Sequence, residues 1–375
     1  MKKFFLLAAV VGVALTSCVK NEGLATVADQ NEITFEVAKF KASSRAEVEE
    51  VAYPTDVHFG TYAYYENSQT PGTHSMYIEN AEIMYKLADG NGYWAAKDHT
   101  YFWPTQGHLD FISYSPYNAD AASPAVPKIS DADVQQTLRY EGFKVDAANP
   151  VDILYSDKAM QQTANTVNYG FTGVPTLFHH ALAKLNIKVK VFRTDNSTDS
   201  PNAVTHWDVV VNKIALTNIY DEGSLTMKTT NVHDQGATTV QWKNTMTAVE
   251  YDVWSNTSSK ITKEWVCDQT LTTIARHYGA GTADVAENYF VLPQALSTGV
   301  QQITVTYTIT TQAPEGQVGV KEHTTTKNLS DFPAVPAWEQ GKNITYTIDI
   351  DPAGDEIHFA PAIVDWENVD GTISI

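Results

Sequence analysis

Apolar side chains recur at every second residue in segment after segment of this chain, and that period constrains its fold more than any other feature. Leu185, Ile187, Val189 and Val191 alternate with Asn186, Lys188 and Lys190. Ile303, Val305, Tyr307 and Ile309 alternate with threonines, and Ile344, Tyr346, Ile348 and Ile350 follow the same rule. Successive side chains of a strand point to opposite faces, so this spacing places one face in a core and the other in water. Further strand-like runs cover Val57–Tyr64, Ala81–Leu87, Tyr93-Trp94, Leu109–Tyr117, Val151–Tyr155, Trp207–Leu216, Leu225–Thr229, Thr238–Trp242, Ala248–Trp254 and Tyr289–Pro293. Asp89-Gly90-Asn91-Gly92 carries the chemistry of a hairpin turn. Thr270–His277 is the one helix-like candidate, and it is short. Many short strands separated by turns predict an all-β protein of two β-sandwiches in tandem. The chain's 375 residues suffice for two cores. The very polar Thr194–Asn202 is the expected boundary, giving domains over 46–195 and 203–375.

Residues 1–17 read as a targeting segment rather than structure. Lys2 and Lys3 precede an apolar stretch, Phe4–Leu15, that is too short for the roughly 20 residues of a membrane-spanning helix. It ends Leu15-Thr16-Ser17-Cys18, which resembles the lipobox of bacterial lipoproteins, so Cys18 is the expected lipidation site. That lipid would be the chain's only hold on a membrane. Cys267 is the only other cysteine. With Cys18 acylated it has no intramolecular partner, and it reads as a small buried apolar side chain. The formal charge is −19, and residues 46–375 alone carry −21. Such an acidic surface argues against nucleic acid and anionic lipid surfaces as partners.

Residues 31–45 combine a strand with a cleavage signal. Ile33, Phe35 and Val37 alternate with Thr34 and Glu36, after which small polar residues lead to Arg45 and the acidic run Ala46–Glu50. A strand ending at an exposed arginine can be formed during folding and later removed by a trypsin-like, arginine-specific protease cutting between Arg45 and Ala46. Read by itself, the segment is first of all an ordinary first strand with a surface arginine.

Catalytic signatures are absent from the sequence. It holds no Gly-x-Ser-x-Gly, no phosphate-binding glycine loop, no His-Glu-x-x-His and no Cys-x-x-Cys. His179 and His180 are adjacent, so on a strand they face opposite ways and cannot share a metal ion. The expectation is a non-enzymatic protein with no cofactor and no metal site.

In Tyr101-Phe-Trp-Pro, Leu109-Asp-Phe-Ile-Ser-Tyr-Ser-Pro-Tyr, Asp152-Ile-Leu-Tyr-Ser, Phe178-His-His-Ala-Leu-Ala-Lys-Leu, Leu292-Pro-Gln, Trp338-Glu-Gln-Gly-Lys-Asn-Ile-Thr-Tyr and Val364-Asp-Trp366, taken in this order after the lipobox and Arg45, the chain resembles the fimbrillin family. These are the subunits of protease-processed (type V) pili of Gram-negative anaerobes. The resemblance implies two transthyretin-like β-sandwich domains, lipoprotein export to the outer membrane, cleavage after arginine, and polymerisation by strand exchange into a surface fimbrium serving adhesion. It implies as partners other copies of the chain, accessory pilus subunits and the protease, with a host or bacterial surface ligand left open. Residues 18–45 would be a propeptide with a removable strand. Val369, Ile373 and Ile375 in the C-terminal tail have the composition of the donated strand, the form of β-augmentation that fills a vacated groove. Three readings stay open: a shaft subunit, an accessory tip or anchor subunit, and an unrelated surface glycan-binding lipoprotein.

Overall fold

A computed structural model describes residues 32–40, 50–120, 122–129, 138–146, 150–165, 173–191, 206–229, 238–244, 249–255, 272–273, 289–312, 318–351 and 356–365. Among them the only regular structure besides strands is one 3₁₀ turn, Leu329–Asp331, so the protein is all-β as its periodicity predicts. No helix among the described residues is long and apolar enough to cross a membrane.

The first body is a sheet that returns on itself. Its strands run Ala159–Gln162, His108–Ser115, Phe59–Glu66, His74–Ala88, Asn91–Ala96, Thr34–Phe40, Val174–His180 and Leu154–Ser156, and the last pairs back with His108–Ser115. Closure removes the unpaired edges that an open sheet presents to solvent. Asp89 and Gly90 form the expected tight turn, with φ of 52° and 82°. Two left-handed residues suit the twist of the flanking strands, Ala88 pairing with Asn91. The enclosed core gathers Phe59, Ile83, Leu109, Phe111, Val174 and Phe178.

The second body stacks two sheets. One holds Ala183–Val191, Lys342–Asp351 and Glu356–Asp365, with Thr272–Thr273 and Tyr289–Val291 beside the first of these. The other runs Val249–Ser255, His206–Ile219, Gln302–Gln312 and Val318–Asn328. Leu185, Ile187, Ile303, Val305, Tyr307, Ile344, Tyr346 and Ile348 fill the space between, as their alternation predicts.

One strand of the expected first domain pairs elsewhere. Ala183–Val191 lies outside the first sandwich; it pairs in parallel with Lys342–Asp351 over eight residues of the second. The first body therefore ends at Val174–His180, and Ala181 and Leu182, both fully buried, join the two. The expected boundary, Thr194–Asn202, lies outside the described residues. A parallel pairing leaves no local trace, because its partner lies far along the chain. The halves also share strands: Glu222–Thr229, between Leu138–Lys144 and Thr238–Asn244, forms one sheet across the sequence divide. A third cluster at this join packs Leu225 and Leu292 against Tyr62, Ile112, Tyr114 and Tyr140.

Of the helix-like Thr270–His277, only Thr272 and Thr273 are described, and they are strand. The strand Glu356–Asp365 ahead of the C-terminal tail pairs over ten residues with Lys342–Asp351.

Candidate functional site

The strand carrying Ile33, Phe35 and Val37 is an interior member of the closed sheet. On one side Thr34–Phe40 runs parallel to Val174–His180, from Phe35 opposite Val174 to Lys39 opposite Phe178. On the other, Thr34 and Phe35 pair antiparallel with Ala95 and Trp94, and Ala38 to Phe40 pair with Ala52 to Glu50. Just ahead of the strand, the Ile33 amide donates to the Tyr101 carbonyl at 2.8 Å, and Glu32 bridges to Phe102. The strand thus sits in a slot with backbone partners along both sides and at its entrance.

Alternation decides which side chains the slot takes. Ile33 and Phe35 are 2% and 4% exposed, whereas Glu36 is exposed. Val37 is half-buried against the same cluster. Phe35 meets Phe59 and Phe111 edge-on, with ring centroids 5.7 and 5.8 Å apart. Trp103 backs Phe111 at 5.8 Å, so the Tyr-Phe-Trp-Pro loop closes one end of this aromatic box. These offset contacts favour ring edges against ring faces.

Tyr53 anchors the chain just beyond the cleavage candidate. Its ring stacks on Phe178 at 5.1 Å, and its hydroxyl shares a 2.6 Å hydrogen bond with Ser115 Oγ. Burial pushes the phenol far above its ordinary value, an effect the Ser115 bond only partly offsets. Gly173, at the start of the neighbouring strand, comes so close that a Cβ there would lie 2.7 Å from the Thr34 carbonyl oxygen.

His179 and His180 face opposite ways. His179 Nε2 meets Asp157 Oδ1 at 3.0 Å and its ring stacks on Tyr155, while His180 Nδ1 meets Asp152 Oδ2 at 2.8 Å. Among the described residues no group of three or more His, Cys, Asp or Glu could hold a metal ion. Cys18, Arg45, Ala46, Cys267, Val369, Ile373 and Ile375 lie outside the described residues. Sequence reasoning missed Tyr53, Gly173 and the pairing of Glu50–Ala52. Tyr53 is followed by proline in no periodic run, and a glycine's close approach is visible only once two distant segments meet.

Residues 44–366 match the family described as fimbrillin-like. The chain belongs to the fimbrillin-like family. Among solved structures it resembles a fimbrial protein from Bacteroides vulgatus, with 18% identity, 90% of this chain and 100% of that one covered, and a TM-score of 0.57. It is also similar to the tip fimbrial protein Mfa3 of Porphyromonas gingivalis, in a form with a C-terminal truncation, at 13% identity, 89% and 100% coverage and a TM-score of 0.36. A third is the fimbrial anchor protein Mfa2 of the same organism, at 12% identity, 89% and 98% coverage and a TM-score of 0.30. The likeness to the Bacteroides vulgatus protein is one of fold. No curated protein matches the sequence. The matched region of this fimbrillin-like chain begins after the slot strand and stops before Val369.

Proposed function

We propose that the chain is a subunit of a cell-surface fimbrium, assembled by donor-strand exchange and serving adhesion. The precursor is exported as an outer-membrane lipoprotein through Cys18. A trypsin-like, arginine-specific protease cuts between Arg45 and Ala46, the strand with Ile33, Phe35 and Val37 leaves, and the tail of another copy, with Val369, Ile373 and Ile375, enters the slot. Each body is then a transthyretin-like sandwich, and the partners are other copies and accessory pilus subunits.

One observation supports this reading above the rest: the first strand of the precursor fills the middle of a closed sheet, and its continuation to Glu50 passes through Arg45. Phe40 and Glu50 are register partners, with nine residues between them in a chain segment that holds Arg45. That connection is longer than the roughly 2–5 residues usual for a hairpin. Cutting it leaves Tyr53 and everything after it in place, while the departing strand keeps no covalent tie. An empty slot exposes Phe59 and Phe111 and unpairs three strands, a state costly in water and filled by an extended segment.

The test is the N-terminal residue of protein recovered from the cell surface, with Arg45→Ala alongside. The expected result is Ala46 in polymers and a folded, lipid-anchored monomer for the variant. Polymers formed by Arg45→Ala would refute strand release by cleavage.

A further inference from the structure

We propose that Gly173 is a positioning residue that fixes the seat of any strand occupying the slot; for an occupant from another copy, this rests on the exchange reading above. A Cβ built on Gly173 would lie 2.7 Å from Thr34 O, 2.8 Å from Thr34 C and 2.9 Å from Phe35 N. All three are backbone atoms of the strand in the slot. The first register pair of the parallel ladder, Phe35 with Val174, follows immediately.

A Cβ on Gly107 would also meet strand backbone, at the Glu66 carbonyl oxygen, but its φ of 76° already calls for glycine; two further glycines of the first body face side chains. A Cβ on Gly60 would meet the Tyr114 ring, and one on Gly92 the Tyr85 ring and hydroxyl. A side chain can turn aside; a strand backbone already paired on both sides cannot, short of shifting as a unit. Gly173 also has a backbone conformation open to ordinary residues, since its φ lies outside the left-handed region reserved for glycine. The missing side chain therefore serves the approach of the strand and not a turn.

A backbone contact reads no sequence, so it acts alike on the resident strand and on an incoming one. Together with Tyr101 O at the entrance, it holds the backbone between the positions of Ile33 and Phe35, the two fully buried side chains. A slip of one residue would turn the polar face into the aromatic box, which the burial of Ile33 and Phe35 opposes. The slot accordingly accepts an extended peptide with large apolar side chains two residues apart, seated where Gly173 allows.

Amide hydrogen exchange on the full uncut chain tests this directly. Gly173→Ala is expected to speed exchange in residues 32–40 by about tenfold or more, while Gln302–Gln312 in the second body keeps its protection. Gly319→Ala is the matched control, because its Cβ would meet nothing within 4 Å. Protection of residues 32–40 within about twofold of the parent would overturn the proposal. If Gly173→Ala melts before exchange can be read, Thr34→Gly/Gly173→Ala, whose carbonyl at position 34 can move away, is expected to fold again, and its failure to fold would overturn the proposal. A second arm cuts the chain at Arg45 with trypsin and, after the protease is inhibited, measures rebinding of a synthetic peptide of residues 32–40. Binding about tenfold weaker in Gly173→Ala supports the proposal, and equal binding refutes it. If the strand never leaves the cut parent protein, strand exchange fails while the exchange result on Gly173 stands.

Discussion

Replacing Phe35 with alanine is the most direct probe of how the slot holds its strand. The side chain is 4% exposed and lies edge-on to both Phe59 and Phe111. Truncating a buried phenylalanine costs about 3–5 kcal/mol, a figure that already includes the lost aromatic contacts. The neighbouring rings belong to separate paired strands, so collapse onto the gap is limited and the upper half of that range is expected. Val37→Ala is the internal comparison: half-buried at the margin of the same cluster, it should cost only about 1 kcal/mol. Both are read by urea unfolding of the full uncut chain, with near-ultraviolet circular dichroism reporting on the aromatic box. The midpoint should fall for Phe35→Ala with the slope unchanged, since the same surface is exposed on unfolding. A loss below about 1 kcal/mol for Phe35→Ala, or equal losses for the two variants, would mean that the strand is not seated by its alternating side chains.

Two further outcomes follow from other parts of the molecule. Burial pushes the Glu66 carboxyl up, but donation from the Gly72 amide and the proximity of His74 and His108 outweigh it and hold the group below its ordinary 4.5. Its contribution is therefore complete above that value and lost as pH falls through the lower folded value, so Glu66→Gln should flatten acid unfolding in that window; an unchanged acid limb would count against the assignment. At the other end of the chain, truncation after Asn368 should alter stability by less than about 0.5 kcal/mol while stopping polymer growth, whereas truncation after Asp351 should cost several kcal/mol because Ile363 packs on the second core. Marked destabilisation by the shorter deletion would identify the tail as an integral strand.

What the sequence revealed and what it concealed separate by range. Alternation at Leu185 to Ile187, Ile303 to Ile309 and Ile344 to Ile350 correctly placed the buried face of each strand, because that signal resides within one strand. Asp89-Gly90 marked its turn for the same reason. Val318–Asn328 escaped notice because its side chains are almost all exposed, Val318 and Val320 by 60% and 67%, leaving no buried face to generate a period. The membership of Ala183–Val191 was illegible: its alternation says that one face is buried, not against which sheet. At the slot, the apolar positions of the strand were readable, but its neighbours were not, since Val174–His180 and Glu50–Ala52 are recognised as partners only in three dimensions.

On the proposed exchange, the position of the slot strand also explains why one peptide bond would control it. While the chain is intact, the strand and its slot belong to one molecule, and a short tether of this kind holds an effective concentration of about millimolar. Hydrolysis within residues 41–49 abolishes that advantage without breaking a single contact in the slot. Occupancy then depends on the concentration of free strand, which falls without limit as it diffuses away, and on competition from other extended segments. Ile33 and Phe35 contribute roughly 1.5–3 kcal/mol each by burial, while ordering the residues around them costs about 1–2 kcal/mol apiece. Side-chain burial alone therefore does not retain a free peptide of this length; the ladder hydrogen bonds and the cost of leaving Phe59 and Phe111 bare must supply the remainder. An incoming strand inherits those same two contributions, because both belong to the slot. Backbone partners at Tyr101, Asn91–Ala96, Val174–His180 and Glu50–Ala52 all remain with the body after the cut, and none of them depends on the occupant's sequence. A slot built this way is selective through its two apolar positions and through its covalent tether, and the tether is the part that a protease can remove.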